Sequence, residues 1–121
     1  MHTVNQQDDV LNLARLEEAY DDDRAAIASL LGLARETESR YIRALREAIA
    51  QADLRAVARA AHSIKGSASN IGATRVSRIA ADIEDQARRE RWDGIAGFAD
   101  ELDRGYAELT SRIVEYAANA V

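Results

Sequence analysis

Asp53-Leu54-Arg55-Ala56-Val57-Ala58-Arg59-Ala60-Ala61-His62-Ser63-Ile64-Lys65-Gly66-Ser67-Ala68-Ser69-Asn70-Ile71-Gly72 is the stretch on which the fold turns. Its apolar residues Leu54, Val57, Ala61, Ile64, Ala68 and Ile71 recur at alternating steps of three and four, which aligns them along one stripe of an α-helix. Asp53 is a natural acceptor for the free N–H groups of the first turn, and Asn70 and Gly72 tolerate the left-handed backbone that ends a helix. A helix apolar on one side only must be covered by others.

Those others are legible on both sides. Upstream, Asp21-Asp22-Asp23 caps a long helix whose apolar positions are Ile27, Leu30, Ala34, Tyr41, Leu45 and Ala48 or Ile49, with Thr37 filling the gap. A shorter helix from about Asp9 to Tyr20 precedes it, burying Val10, Leu13 and Leu16, and the polar, aperiodic residues 1–8 read as a frayed lead-in. Downstream, Thr74 is expected to cap a helix burying Val76, Ile79, Ala80, Ile83 and Ala87. After a break at Asp93-Gly94 a last helix carries Ile95, Phe98, Leu102, Tyr106, Leu109, Ile113 and Tyr116. Trp92 is expected to plug the bundle end. Short connections favour antiparallel neighbours. The expectation is therefore an all-α fold, an antiparallel up-and-down four-helix bundle with a short additional N-terminal helix, forming a single domain over residues 9–121.

Composition agrees. In 121 residues there are 47% hydrophobic and 31% charged residues, no proline, no cysteine and six glycines, a mixture that argues against disorder and against a turn-rich all-β fold. Without cysteine there are no disulfides, thiolate metal sites or thiol nucleophiles, which suits a reducing compartment, and cytoplasm is the default. No apolar run approaches the roughly 20 residues that span a bilayer, and Met1-His2-Thr3-Val4-Asn5-Gln6-Gln7 has no apolar h-region, so a soluble protein not exported by that route is expected. The net charge of −5 argues against nonspecific nucleic-acid binding. Yet between Leu54 and Ala81 stand Arg55, Arg59, Lys65, Arg75 and Arg78 with no acidic residue, a face suited to an acidic partner.

Of the two histidines, His2 lies in the lead-in, which leaves His62 as the candidate for chemistry. On a helix advancing about 100° per residue it falls roughly 130° from the centre of the apolar stripe, and so faces water or a partner. Gly66, one turn on, is also outside the stripe, at a mid-helix position where glycine costs about 1 kcal/mol relative to alanine. It either clears an approach to His62 or is a tolerated defect. Lys65, three residues from His62, is the one lysine in the chain, and its compact ammonium can act as a point charge toward phosphoryl oxygens.

His62, Lys65, Gly66 and Gly72 meet the pattern H-x-x-K-G followed by a small polar run and a glycine, so the chain resembles histidine phosphotransfer domains of two-component phosphorelays. That resemblance implies a carrier whose exposed His62 takes a phosphoryl group through Nε2 from the aspartate of a receiver domain, or from a histidine kinase system. The group then passes to another receiver. Imidazole, with an ordinary pKa near 6.5, supplies a neutral nucleophilic nitrogen at cellular pH. Lys65 would stabilise the phosphoryl group and Gly66 would give the partner access. Arg55, Arg59, Ser69 and Asn70 would form the receiver docking surface. The chain would bind no metal or cofactor, with Mg2+ coming from the receiver. Its partners would be receiver domains of response regulators and hybrid histidine kinases, approached by a monomer in a bacterial cytoplasm.

Two other classes compete. A helical interaction module would use the same surface without chemistry. A histidine-dependent hydrolase would need a nucleophile and an orienting carboxylate, and the helix after Asp53 contains no acidic residue; a zinc site would need more ligands than one histidine. Lys65-Gly66-Ser67 lacks the upstream glycines and strand of a phosphate-binding loop, and Gly94-Ile95-Ala96-Gly97 opens a helix with no sheet nearby. With no room for an ATP-binding fold, self-phosphorylation is not expected.

Overall fold

The Asp53 carboxylate accepts the backbone N–H of Ala56 at 3.1 Å, and the helix it caps runs from Leu54 to Asn70, as its periodicity requires. In this computed structural model, which describes residues 6–120, the chain forms α1 (Gln6–Val10), α2 (Leu13–Ala19), α3 (Arg24–Ala50), α4 (Leu54–Asn70), α5 (Thr74–Arg88) and α6 (Ile95–Asn119). No strand occurs among the described residues. No helix among them is long and apolar enough to cross a membrane.

The core follows the stripes. Val57, Ala61, Ile64 and Ala68 of α4 face Val76, Ile79, Ala80, Ile83 and Ala87 of α5, with Leu102, Leu109 and Ile113 of α6 completing the cluster. Each fully buried Leu or Ile contributes roughly 1.5–3 kcal/mol by leaving water. Helix α4 packs on α3 and α5, α5 on α6, and α6 back on α3, so the long helices close a cycle. Helix α1 lies against α5 and α6, and α2 against α3.

Several local expectations are corrected. The predicted helix from Asp9 to Tyr20 is two helices that meet at Leu11-Asn12, and the first begins at Gln6, inside the expected lead-in; residues 1–5, His2 included, lie outside the described residues. The break has a cause: the Asn12 side chain caps α2 by accepting from the Arg15 N–H, while the Asn12 N–H donates to the Gly72 carbonyl at 3.2 Å. In α3 the inward residues are Ile27, Leu31, Glu38, Ile42, Leu45 and Ala48, with Leu30, Ala34 and Tyr41 only half-buried and Glu38, not Thr37, in the gap. Ala73, not Thr74, is the N-cap of α5, and it makes no side-chain cap. Trp92 is no plug: it is 38% exposed.

Helices α2, α3, α4 and α5 all end alike. A 6→1 hydrogen bond closes each, from Asp22 to Glu17, Asp53 to Ala48, Ala73 to Ala68 and Arg91 to Gln86. The residue before each donor has positive φ, namely Asp21, Ala52, Gly72 and Glu90. Only Gly72 is suited to that conformation by lacking a Cβ.

Candidate functional site

His62 stands on the outer side of α4 with 63% of its side chain exposed. The apolar stripe of the same helix is locked into the core, so the direction of this histidine is fixed by packing on the far side of the backbone. Its Nδ1 lies 3.0 Å from Oε2 of Glu84, a residue of α5 that is 6% exposed. Glu84 rises from the inward face of α5, four residues after the buried Ala80, and reaches up between the two helices.

The carboxylate is the hub. Lys65 Nζ donates to Oε1 at 2.7 Å, and Arg88 donates to Oε2 through Nε at 3.0 Å and its terminal nitrogen at 2.7 Å. Burial on its own would raise the pKa of Glu84. The hydrogen bonds of Lys65 and Arg88, the charge of Lys65 and the His62 contact outweigh burial and hold it at about 2. An ionised carboxylate only accepts, so Nδ1 of His62 carries the proton it shares with Glu84, and the lone pair of the ring lies on Nε2. His62, Lys65, Ala81, Glu84, Asp85 and Arg88 line an open depression of about 380 Å³.

The backbone beside this group is held as well. The Ser77 hydroxyl of α5 donates to the Lys65 carbonyl at 3.2 Å, tying the two helices at the level of the lysine. Gly66, next along α4, is exposed, and a Cβ added there would meet no atom within 4 Å. Nothing inside the protein therefore requires glycine at this position. Gly72 is different: its φ is +75°, and a Cβ would lie 3.1 Å from that of Asn12, so this glycine serves the fold.

The other candidates are spread along α4. Arg55 and Arg59 are exposed on the N-terminal side of His62, and Ser69 and Asn70 are exposed toward the C-terminal end. Arg55 and Arg59 line a groove with Arg88, whereas Ser69 and Asn70 are not part of the Glu84 cluster. The orienting carboxylate that α4 lacks is supplied across the helix pair by α5. Its sequence signal was an acid on the inner face of an amphipathic helix, followed four residues later by Arg88. Glu38 is the second acid of this kind: it is completely buried in α3, neither carboxyl oxygen has a hydrogen-bond partner of normal geometry, and Ser67 of α4 is the nearby hydroxyl. Burial pushes its pKa up to about 7, against the opposing pull of Ser67.

An exposed histidine whose inner nitrogen is held by an ionised carboxylate, on an all-helical scaffold, presents its outer nitrogen to a partner. Residues 29–111 match the family model of the Hpt domain, and the chain belongs to that family. Among solved structures it is similar to histidine-containing phosphotransfer protein B from Pseudomonas aeruginosa PAO1, with 25% sequence identity and a TM-score of 0.80 over 88% of this chain and 90% of that one. No curated protein sequence matches it. Membership gives the chain a histidine phosphotransfer role in phosphorelays, in which such proteins act as phosphocarriers alongside receiver domains and kinases.

Proposed function

We propose that His62 is the phosphorylated residue, and that the chain is a phosphorelay intermediate between two receiver-domain aspartates. The observation that carries this is the Nδ1 contact to Glu84, which leaves Nε2 as the free nucleophile on an exposed ring. In the forward step the Nε2 lone pair attacks the phosphorus of an aspartyl phosphate. The N–P bond forms, the P–O bond breaks, and its electron pair returns to the aspartate carboxylate. The ring keeps its Nδ1 proton and becomes cationic, which the Glu84 carboxylate stabilises without taking the proton. Onward transfer then releases a neutral imidazole, a good leaving group, so both directions stay accessible.

Lys65 and Gly66 divide the remaining work. With its ammonium already held beside the ring by Glu84, Lys65 needs only a small movement to meet phosphoryl oxygens, and the bare backbone at Gly66 admits the partner's active site. Magnesium, which neutralises charge on the transferring group, is assigned to the receiver. Arg55, Arg59, Ser69 and Asn70 form the docking surface around His62. The protein acts as a cytoplasmic monomer, without autokinase activity, serving receivers and hybrid histidine kinases. Its four long helices make an antiparallel up-and-down bundle with the N-terminal helices packed against it. The pairings Arg35 with Tyr106 and Arg46 with Asp103, in which one number rises as the other falls, support that topology.

The test is labelling. Incubated with phosphorylated receiver domains of its own organism, the protein should gain acid-labile, base-stable phosphate, and His62→Gln should gain none. A wild type that stays unlabelled with every receiver would leave a binding module. Arg59→Glu combined with Ser69→Glu should slow transfer from every productive receiver; unchanged rates would remove these residues from the docking surface.

A further inference from the structure

We infer that the groove between α3 and α6, on the side of the fold away from His62, docks an acidic helical segment of a second protein and leaves the His62 face uncovered. The inference goes beyond the phosphorelay reading and does not depend on it, because the docking belongs to the unphosphorylated chain. Arg35, Glu36, Ser39, Arg40 and Arg43 of α3 line the groove with Tyr106 of α6, around a volume of about 380 Å³. The depression beside His62 is lined by α4 and α5 alone, so the two share no residue. In the cycle of long helices, α3 and α6 form the edge opposite α4 and α5.

Two observations set this groove apart from an ordinary solvated helix face. The first is one-sided, uncompensated charge. In a chain of net charge −5, three arginines stand here against one acid. The Arg35 and Arg43 side chains have no hydrogen-bond or ion-pair partner among the described residues, Arg40 reaches only the Thr37 hydroxyl at 3.5 Å, and Glu36 pairs with none of the three. Arg46, one turn beyond Arg43, shows the contrast: Asp103 of α6 pairs with it. Beside the groove α6 offers Tyr106 instead, and its hydroxyl is committed to the Arg35 carbonyl at 2.9 Å, so the ring is held as a wall that neutralises no charge. Arg40 and Arg43, like Arg43 and Arg46, stand three residues apart, a spacing at which like charges disfavour the helix. The second observation is the length of the row. Arg35, Ser39 and Arg43 recur every four residues, about 6 Å apart along the axis and about 12 Å end to end. A phosphate-sized anion engages one end of such a row. Carboxylates four residues apart on a helix repeat the same rise of about 6 Å and meet both ends in register. The net negative chain repels an extended polyanion such as nucleic acid, whereas a short acidic segment lies within a Debye length, about 8 Å, of the arginines it meets.

The probe is a fluorescein-labelled, alanine-rich helical peptide with three glutamates four residues apart, set against a peptide of equal composition whose glutamates fall on different sides of the helix. Fluorescence anisotropy should show the first bound about fivefold more tightly or better, with amide shifts changing from Arg35 to Arg43 and at Tyr106 rather than around His62. Arg35→Glu with Arg43→Glu should weaken binding about tenfold or more, and should instead bind the peptide with lysines in place of glutamates. The control pair Arg78→Glu with Arg104→Glu, exposed on α5 and α6, carries the same charge change outside the groove and should alter affinity by less than about threefold. Phosphotransfer from receivers that label the wild type should stay within about twofold in the groove variant, with or without peptide. The docking surface is overturned if the two peptides bind alike, if the control pair equals the groove pair, or if the shifts centre on Arg55, Arg59 and Arg88. It is also overturned if the groove variant loses phosphotransfer, which would make this face part of the transfer complex. Binding to phosphatidylglycerol vesicles without binding to the peptide would overturn it in favour of a membrane surface.

Discussion

Glu84 of α5 lies 3.0 Å from Nδ1 of His62 in α4, and this one contact occupies the inner ring nitrogen and leaves Nε2 as the outer one. It also makes the two central helices a single chemical unit, since neither carries both the base and its orienting acid.

Replacing Glu84 by Gln keeps a carbonyl oxygen for Nδ1 but removes the charge that stabilises the cationic phosphorylated ring. Charge-assisted hydrogen bonds exceed neutral ones by about 1–1.5 kcal/mol, so transfer from a receiver should slow about tenfold, and Glu84→Ala should slow it further. Stopped-flow transfer rates at saturating receiver check this. Equal rates for wild type and both variants would remove Glu84 from the mechanism.

The same residue governs acid stability. Its folded pKa, about 2, lies below the ordinary 4.5, so its contribution is present above pH 4.5 and is lost as pH falls toward 2. Circular dichroism titrations should show wild type losing stability over that window more steeply than Glu84→Gln.

Glu38 works with the opposite sign. A folded pKa of about 7 against 4.5 in the unfolded chain means no penalty at pH 4, a penalty that grows between pH 4.5 and 7, and a plateau beyond. Glu38→Gln should therefore stabilise the protein by about 3 kcal/mol at pH 8 and by little at pH 4, which urea unfolding at the two pH values measures. A gain equal at both would show that Glu38 titrates normally.

Gly66→Ala should separate folding from function. Its Cβ meets nothing, so helix α4 should gain about 0.5–1 kcal/mol, seen as a higher melting temperature, while transfer from receivers slows and phosphoramidate labelling is little affected. A variant neither stabilised nor slowed would make the glycine incidental.

The left-handed helix ends give opposite outcomes at two sites. Gly72→Ala should lose about 1–2 kcal/mol, because φ is +75° and the new Cβ crowds Asn12, whereas Ala52→Gly, at φ 54°, should gain up to about 1 kcal/mol. Equilibrium unfolding of the two variants tests the pair.

Much of this was legible beforehand for a definite reason. The stripes of α4 and α5 are regular because both helices are buried along one side, so spacing alone placed Val57, Ile64, Val76 and Ile83 inward and His62 outward. Helix α3 was read less well: its inward stripe contains a carboxylic acid, and a reading that counts only apolar residues passes over Glu38 and shifts toward Leu30 and Tyr41. The split at Asn12 was hidden because its cause is a contact to Gly72, sixty residues away.

By itself the sequence determined the four long helices, the buried faces of α4 and α5, and the grouping of His62, Lys65 and Gly66, because positions three or four apart on a helix are neighbours whatever the rest of the chain does. Only the tertiary structure decided that Glu84 and Arg88 join them. Helix periodicity says which side a residue takes on its own helix, but not which residue of another helix it meets. That depends on how α4 and α5 are set against each other, and on a buried charge finding in Lys65, Arg88 and His62 the partners that outweigh its loss of water.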